Sequence, residues 1–281
     1  MRVAALLALL SSLSWGVADF IGGLAARRAG SAQVLAVTYP AGGIVITIFA
    51  LTVIPGELST GLIGYALVTG IIGSIAIALL YAALTRGQMG IVSPITAVMS
   101  GAVPVIVGVL RGEQPSTWAY LGMAFAVIAV VLVSRESAHH HGRTPPVAIV
   151  MAIGSGIAIG FYLTSLGLAP DNSGVWVAAL GRWVSTIIMF TFVVIVVRKF
   201  DRSTFPWLLA ITAGVLDAMA NGIFQLASQR GLLSVVAVLG SLYPAATVVL
   251  ARFVIKERMN SVQGAGVALA FSAAVLLALG S

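Results

Sequence analysis

Asp19 lies inside an apolar run that extends from Val3 to Ala25. A carboxylate in hydrocarbon costs several kcal/mol unless it is protonated or paired, so it must face the interior of a helix bundle. There it can carry a proton or hold a substrate ammonium. The plain alternative is a packed carboxyl bonded to its neighbours or to a helix end. Asp217, Asn221 and Gln225 form a second group at four-residue spacing. On a helix that spacing puts all three on one face. Such a stripe either lines a polar cavity or forms a seam between helices, where each hydrogen bond contributes about 0.6 kcal/mol. Arg182, next to Trp183, is the third candidate. It can pair with an intramembrane Asp or hold a substrate carboxylate; near a span end it would snorkel instead. An Asp and an Arg together suit a zwitterion such as an amino acid, or they neutralise each other. Of the tyrosines Tyr39, Tyr81, Tyr162 and Tyr243, we favour Tyr81 and Tyr243 as hydroxyls offered to a solute. Others would belong to an interfacial belt.

Several chemistries find no support. The three histidines, His139, His140 and His141, sit together in a charged link and read as solvated chain, so no metal site is expected. With no cysteine, thiol catalysis and thiolate ligation are excluded. No Gly-x-x-x-x-Gly-Lys phosphate loop is present. We therefore expect no cofactor and no enzyme activity. A membrane-embedded enzyme would need a His/Asp/Glu or Ser/His cluster at span depth. A scaffold or receptor would need no polar residues there, which Asp19 and the Asp217 stripe oppose. Nucleic acid is not expected as a partner despite a net charge of +7, because the basic residues sit at span ends.

The elements that must position these groups follow from composition. The chain is 60% hydrophobic and 8% charged, against about 25% charged in soluble domains. It cannot cover itself with a water-compatible surface. Spans of about 20 apolar residues fall at 3–25, 33–54, 62–84, 89–110, 117–134, 147–168, 174–197, 206–229, 232–253 and 261–279. Continuous apolar runs of this length predict helices rather than barrel strands. The first segment reads as a retained span, not a cleaved signal peptide.

The chain also repeats itself. Arg86-Gly87, Glu113 and Gly122 recur 144 positions later as Arg230-Gly231, Glu257 and Gly266. The same shift takes Ser11 to Ser155, Gly16 to Gly160, Gly30 to Gly174 and Gly70 to Gly214. We read two five-helix units, 1–137 and 145–281, joined by a linker at 138–144. An odd number of spans sends the second unit into the membrane from the opposite side. The expected fold is thus an all-α membrane protein of ten transmembrane helices in two inverted five-helix repeats, a design found in secondary transporters. Both termini share one side. Arg2, Arg111 and Arg230 fall on that side and most other Lys and Arg residues on the linker side, which favours termini outside the cytoplasm.

Small residues four apart, Ser12 with Gly16 and Gly156 with Gly160, predict close helix approach. Pro94, Pro104 and Pro244 lie within spans. Each frees a carbonyl that must be satisfied by protein or cavity water, so spans four and nine are expected to line a central cavity. Glu113 and Glu257 follow those spans and are expected at the turns into spans five and ten, as partners of helix N-termini.

Taken in order, Val92-Ser93-Pro94-Ile95, Pro104, Gly112-Glu113 and Gly122 are answered by Ser241-Leu242-Tyr243-Pro244, Glu257-Arg258, Gln263 and Gly266. With Trp15-Gly16 in the first span, this text resembles the EamA-type members of the drug/metabolite transporter superfamily, over essentially the whole chain. The resemblance implies ten helices in two inverted repeats and movement of small metabolites, often amino acids. It also brings Trp15 into the candidate site beside Asp19. Related transporters are usually drawn with cytosolic termini, against the charge bias. The copies differ: Val238 stands where Pro94 is, Ile159 where Trp15 is, Leu163 where Asp19 is, and Gly73, Ile77 and Tyr81 where Asp217, Asn221 and Gln225 are. The expected function is alternating-access transport, as an exporter, of a small metabolite across the cell membrane. The expected partners are the lipid bilayer, a small-molecule solute and a coupling proton, with the monomer as the unit.

Overall fold

The computed structural model describes residues 2–84, 86–87, 89–134, 144–197, 203–254, 256 and 260–280. His139, His140, His141, Glu257 and the side chain of Tyr81 lie outside the described residues. Most of the rest is helical: α1 (Arg2–Ala29), α2 (Ser31–Thr52), α3 (Thr60–Leu84), α4 (Met89–Leu110), α5 (Thr117–Val133), α6 (Pro146–Gly167), α7 (Trp176–Phe192), α8 (Trp207–Ser228), α9 (Leu233–Gly240), α10 (Tyr243–Val254) and α11 (Ser261–Gly280). A short 3-10 turn, Asp171–Ser173, precedes α7, and a π-helical turn, Val193–Val197, continues it.

Among the described residues, eight helical runs are long and apolar enough to cross a membrane, with α9 and α10 counted as the single run Leu233–Val254. Two more apolar helices, Pro94–Leu110 and Thr117–Val133, are shorter. The 17 residues of α5 reach only about 25 Å at 1.5 Å per residue, short of a hydrocarbon core of about 30 Å. Chain reversals are tight. Gly30 alone separates α1 from α2, with φ +80°, a backbone region that glycine enters at no steric cost.

The ninth expected span, 232–253, is one continuous run in the sequence but two helices in space. The ladder ends with the Ser241 N–H donating to the Ala237 carbonyl at 2.9 Å and the Leu242 N–H to Leu239 at 3.3 Å. Pro244 then has no N–H to offer the Gly240 carbonyl, and its ring crowds that oxygen. Helix α10 starts afresh at Tyr243. Helix α4 carries two prolines, Pro94 and Pro104, and remains one helix.

Each half packs mainly on the other, and the contacts come in mates. Helix α1 lies on α8 as α6 lies on α3; α2 meets α8 as α7 meets α3; α4 meets α6 as α9 and α10 meet α1. The pairs α2–α7 and α5–α11 map onto themselves. Small residues permit the matching crossings. A Cβ on Gly16 would stand 2.5 Å from the Ala246 Cβ, and one on its mate Gly160 2.5 Å from the Val103 Cβ. Neither position admits a side chain, so backbones approach as the four-residue spacing predicts.

The main core fills one end of the bundle. It gathers Ala4 and Ala8 near the start of α1, Ile46 near the end of α2, Leu62 at the start of α3, Leu166 in α6, Val177 in α7, Phe224 in α8, and α9. Polar side chains tie this end together. The Glu113 carboxylate accepts from the Leu233 and Ser234 N–H groups at 2.7 and 3.0 Å. It thus caps α9 of the second half, not the adjacent α5. Ser116 already caps α5, its Oγ accepting from the Ala119 N–H at 3.2 Å. The Gln229 amide donates to the Gly174 carbonyl at 3.1 Å, and the Glu57 N–H to the Asn172 carbonyl at 2.9 Å.

Candidate functional site

The opposite end of the bundle is hollow. A cavity of about 720 Å³ runs from mid-helix depth to Arg27, Leu84, Ser134, Ala251 and Gln263, at the end where α5 stops and α6 begins. Its size lies within the range of about 300–1,000 Å³ usual for small-molecule sites. The floor is the packed core around α9.

Helix α1 brings Trp15 and Asp19 to the cavity one turn apart, on one face. Trp15 leans on Phe224 of the floor, ring centroids 5.5 Å apart, and closes over Gly240, where a Cβ would meet it at 3.2 Å. Asp19 is exposed to the cavity. Among the described residues it has no ion-pair or hydrogen-bond partner, so it is not the packed, bonded carboxyl that was the plain alternative.

Helix α8 supplies Asp217 and Asn221 to the same cavity. Asp217 forms an ion pair with Arg182 of α7. The Arg182 side chain keeps 9% of its surface and that of Asp217 32%. The guanidinium also lies 4.9 Å from the centre of the Tyr39 ring, at cation–π distance. Arg182 is therefore an intramembrane partner of an Asp and does not snorkel. Asn221 does not hold the Asp217 carboxylate; its amide donates to the Asp217 carbonyl at 2.6 Å, and its Oδ1 accepts from the Tyr162 hydroxyl at 2.6 Å.

Gln225 departs from the expected stripe. It is fully buried, accepts from the Ala178 N–H at 3.0 Å and donates to Ser173 Oγ at 3.1 Å. Four residues advance about 6 Å along a helix, and that step carries Gln225 past the cavity floor into the core. It fastens the sealed end and does not line the cavity.

Tyr243 and Pro244 line the wall where α10 begins, beside Gly240 and Ser241. From α4 come Thr96 and Ser100. Both proline-bearing spans thus reach the cavity. Tyr39 and Tyr162 also line it; the side chain of Tyr81, the other favoured tyrosine, lies outside the described residues. A depth count would have found Tyr39: it lies eight residues from the start of α2, and Asp19 ten from the end of α1, at the same side of the bundle.

The comparisons with known proteins agree with this architecture. No curated protein matches the chain. A solved structure titled "Crystal structure of protein" superposes with a TM-score of 0.77 at 16% identity, over 97% of this chain and 95% of that one. At that identity the likeness is one of fold. The EamA-like transporter family matches twice, over residues 2–135 and 146–279. These two matches cover nearly all of the sequence, and the chain belongs to the EamA-like transporter family.

Proposed function

We propose that this membrane transporter exports a small amphipathic metabolite across the cell membrane by alternating access, as a ten-span monomer of two inverted repeats, 1–137 and 145–281. The observation that carries the reading is the cavity itself: open at one end, sealed at the other, with ionisable groups at mid-helix depth. Such groups are expensive in lipid and mark solute or proton paths. The mated helix contacts support it further, because two copies of one unit can exchange conformations and open the same site to either side. The open end carries Arg27 and Arg28 of α1 and Arg252 of α10. By the positive-inside tendency it faces the cytoplasm, so the cavity loads from within and the direction is outward. An amino acid is one member of the solute class.

Energy comes from a proton gradient, with Asp19 as the proton carrier. The test is uptake and efflux of candidate solutes in proteoliposomes with and without an imposed pH gradient. Solute accumulation driven by the gradient is expected. Transport that only equalises concentrations would remove proton coupling and leave a uniporter. No movement of any solute across a broad panel would remove the reading.

A further inference from the structure

Building on the cavity as a transport site, we propose that it selects solutes bearing one positive charge on an apolar body, amines rather than zwitterions or anions, because Asp19 is offered to the solute while Arg182 is turned away against Asp217 and Tyr39.

The presence of both an Asp and an Arg in the spans suggests a zwitterion. Their placement argues otherwise. The guanidinium is committed on two sides, to the Asp217 carboxylate and to the Tyr39 ring, and 9% of the side-chain surface remains. Arg182 touches the cavity, but a solute carboxylate there would have to compete with Asp217 for the guanidinium and weaken a pair whose carboxylate sits in a low-dielectric wall. The negative groups are the accessible ones. Asp217 keeps 32% of its side-chain surface, and Asp19 is exposed to the cavity. The two carboxylates line the same cavity. A solute at this depth therefore meets two carboxylates and one hidden guanidinium. Arg27, the other cation of the lining, stands at the open end, eight residues along α1 from Asp19. That is about 12 Å away, beyond a Debye length at physiological salt.

The walls suit the same class. Trp15, Phe20, Tyr162 and Tyr243 line the cavity around these carboxylates. Aromatic faces attract cations and accept apolar bodies. A zwitterion would bring its own carboxylate toward two others with no free donor of matching charge. An amine brings only the favourable half.

The test uses the full chain in lipid nanodiscs and three probes with the same ring and comparable chains but different charge: phenethylamine, phenylalanine and 3-phenylpropionate. Calorimetric titration should find phenethylamine bound about tenfold tighter than phenylalanine, and no binding of 3-phenylpropionate. Asp19→Asn should erase the preference, and Asp19→Glu should restore it. Equal or tighter binding of phenylalanine or 3-phenylpropionate, a preference that persists in Asp19→Asn, or no binding of phenethylamine would each overturn the proposal. Proteoliposome transport of phenylalanine and of N-trimethylated phenethylamine, which cannot shed its charge, separates this claim from the one it rests on. Cation binding without cation movement keeps the charge assignment and removes transport. Preferred movement of phenylalanine keeps transport and removes the charge assignment.

Discussion

At the scale of single residues, the two carboxylates have different work. Asp19 lines the cavity with no ion-pair or hydrogen-bond partner among the described residues, while Asp217 is held by Arg182. Asp19→Asn keeps shape and hydrogen bonding but removes titration. It should abolish pH-gradient-driven accumulation in liposomes while leaving the thermal unfolding curve in place; wild-type rates in this variant would eliminate Asp19 as the proton carrier. Asp217 is ion-paired as well as cavity-lining. Arg182→Ala leaves its carboxylate unpaired, a loss of about 3–5 kcal/mol where a buried pair is broken. The joint replacement Arg182→Met with Asp217→Leu should recover most of that stability. Denaturation in detergent reads both, and a double variant as unstable as the single one would contradict the pairing. Both aspartates were legible in the sequence, because a charge in an apolar run is conspicuous. Their partners were not, since pairing between α7 and α8 is set by how two spans rotate against each other. Gln225 shows the same limit. Its face was readable from its spacing, but the level of the cavity floor was not.

At the scale of elements, α9 and α10 are the informative pair. Pro244 breaks the run beside the cavity, and Glu113 fixes its far end. Pro244→Ala restores an N–H that can reach Gly240. The variant should therefore be at least as stable as wild type, by up to about 3 kcal/mol, yet transport more slowly, because a straightened helix moves Tyr243 and Ser241 from the wall. Measuring melting temperature beside transport rate checks both halves, and unchanged transport would show the break to be incidental. Glu113→Ala orphans the Leu233 and Ser234 N–H groups. A destabilisation of about 1–2 kcal/mol is expected, with Glu113→Gln closer to wild type; equal stability of all three would refute the cap. The sequence placed Glu113 correctly at a turn, as a helix-end partner. It could not reveal which helix, because Ser116 had already taken α5 and the α9 N-terminus lies 120 residues further along the chain.

At the scale of the whole molecule, the repeat was the most readable feature. Gly16 and Gly160 survive in both copies because each sits where a backbone crosses another at close range. Crossings of that kind tolerate no drift, whereas the lipid-facing apolar residues between them can exchange freely. What the repeat could not convey is the asymmetry of the conformation, one end filled and the other hollow. Topology remains a direct check. Reporters fused at residue 1 and residue 281 should read the same side of the membrane, and one inserted in the linker the opposite side. A linker reporter on the side of the termini would remove the inverted arrangement.

The fastening of the sealed end has a further consequence. Gln225 and Gln229 secure it through three hydrogen bonds, and the 144-residue shift pairs them in the sequence with Tyr81 and Thr85. A tyrosine or threonine hydroxyl gives and takes through one oxygen and has one hydrogen to give, where a carboxamide has two and accepts at a separate atom, so the mated positions carry unlike hydrogen-bonding groups. A device with identical halves would idle without preference between its two mouths. If the halves exchange shapes as proposed, unlike residues at these mated positions predict that the two shapes differ in free energy before any solute arrives.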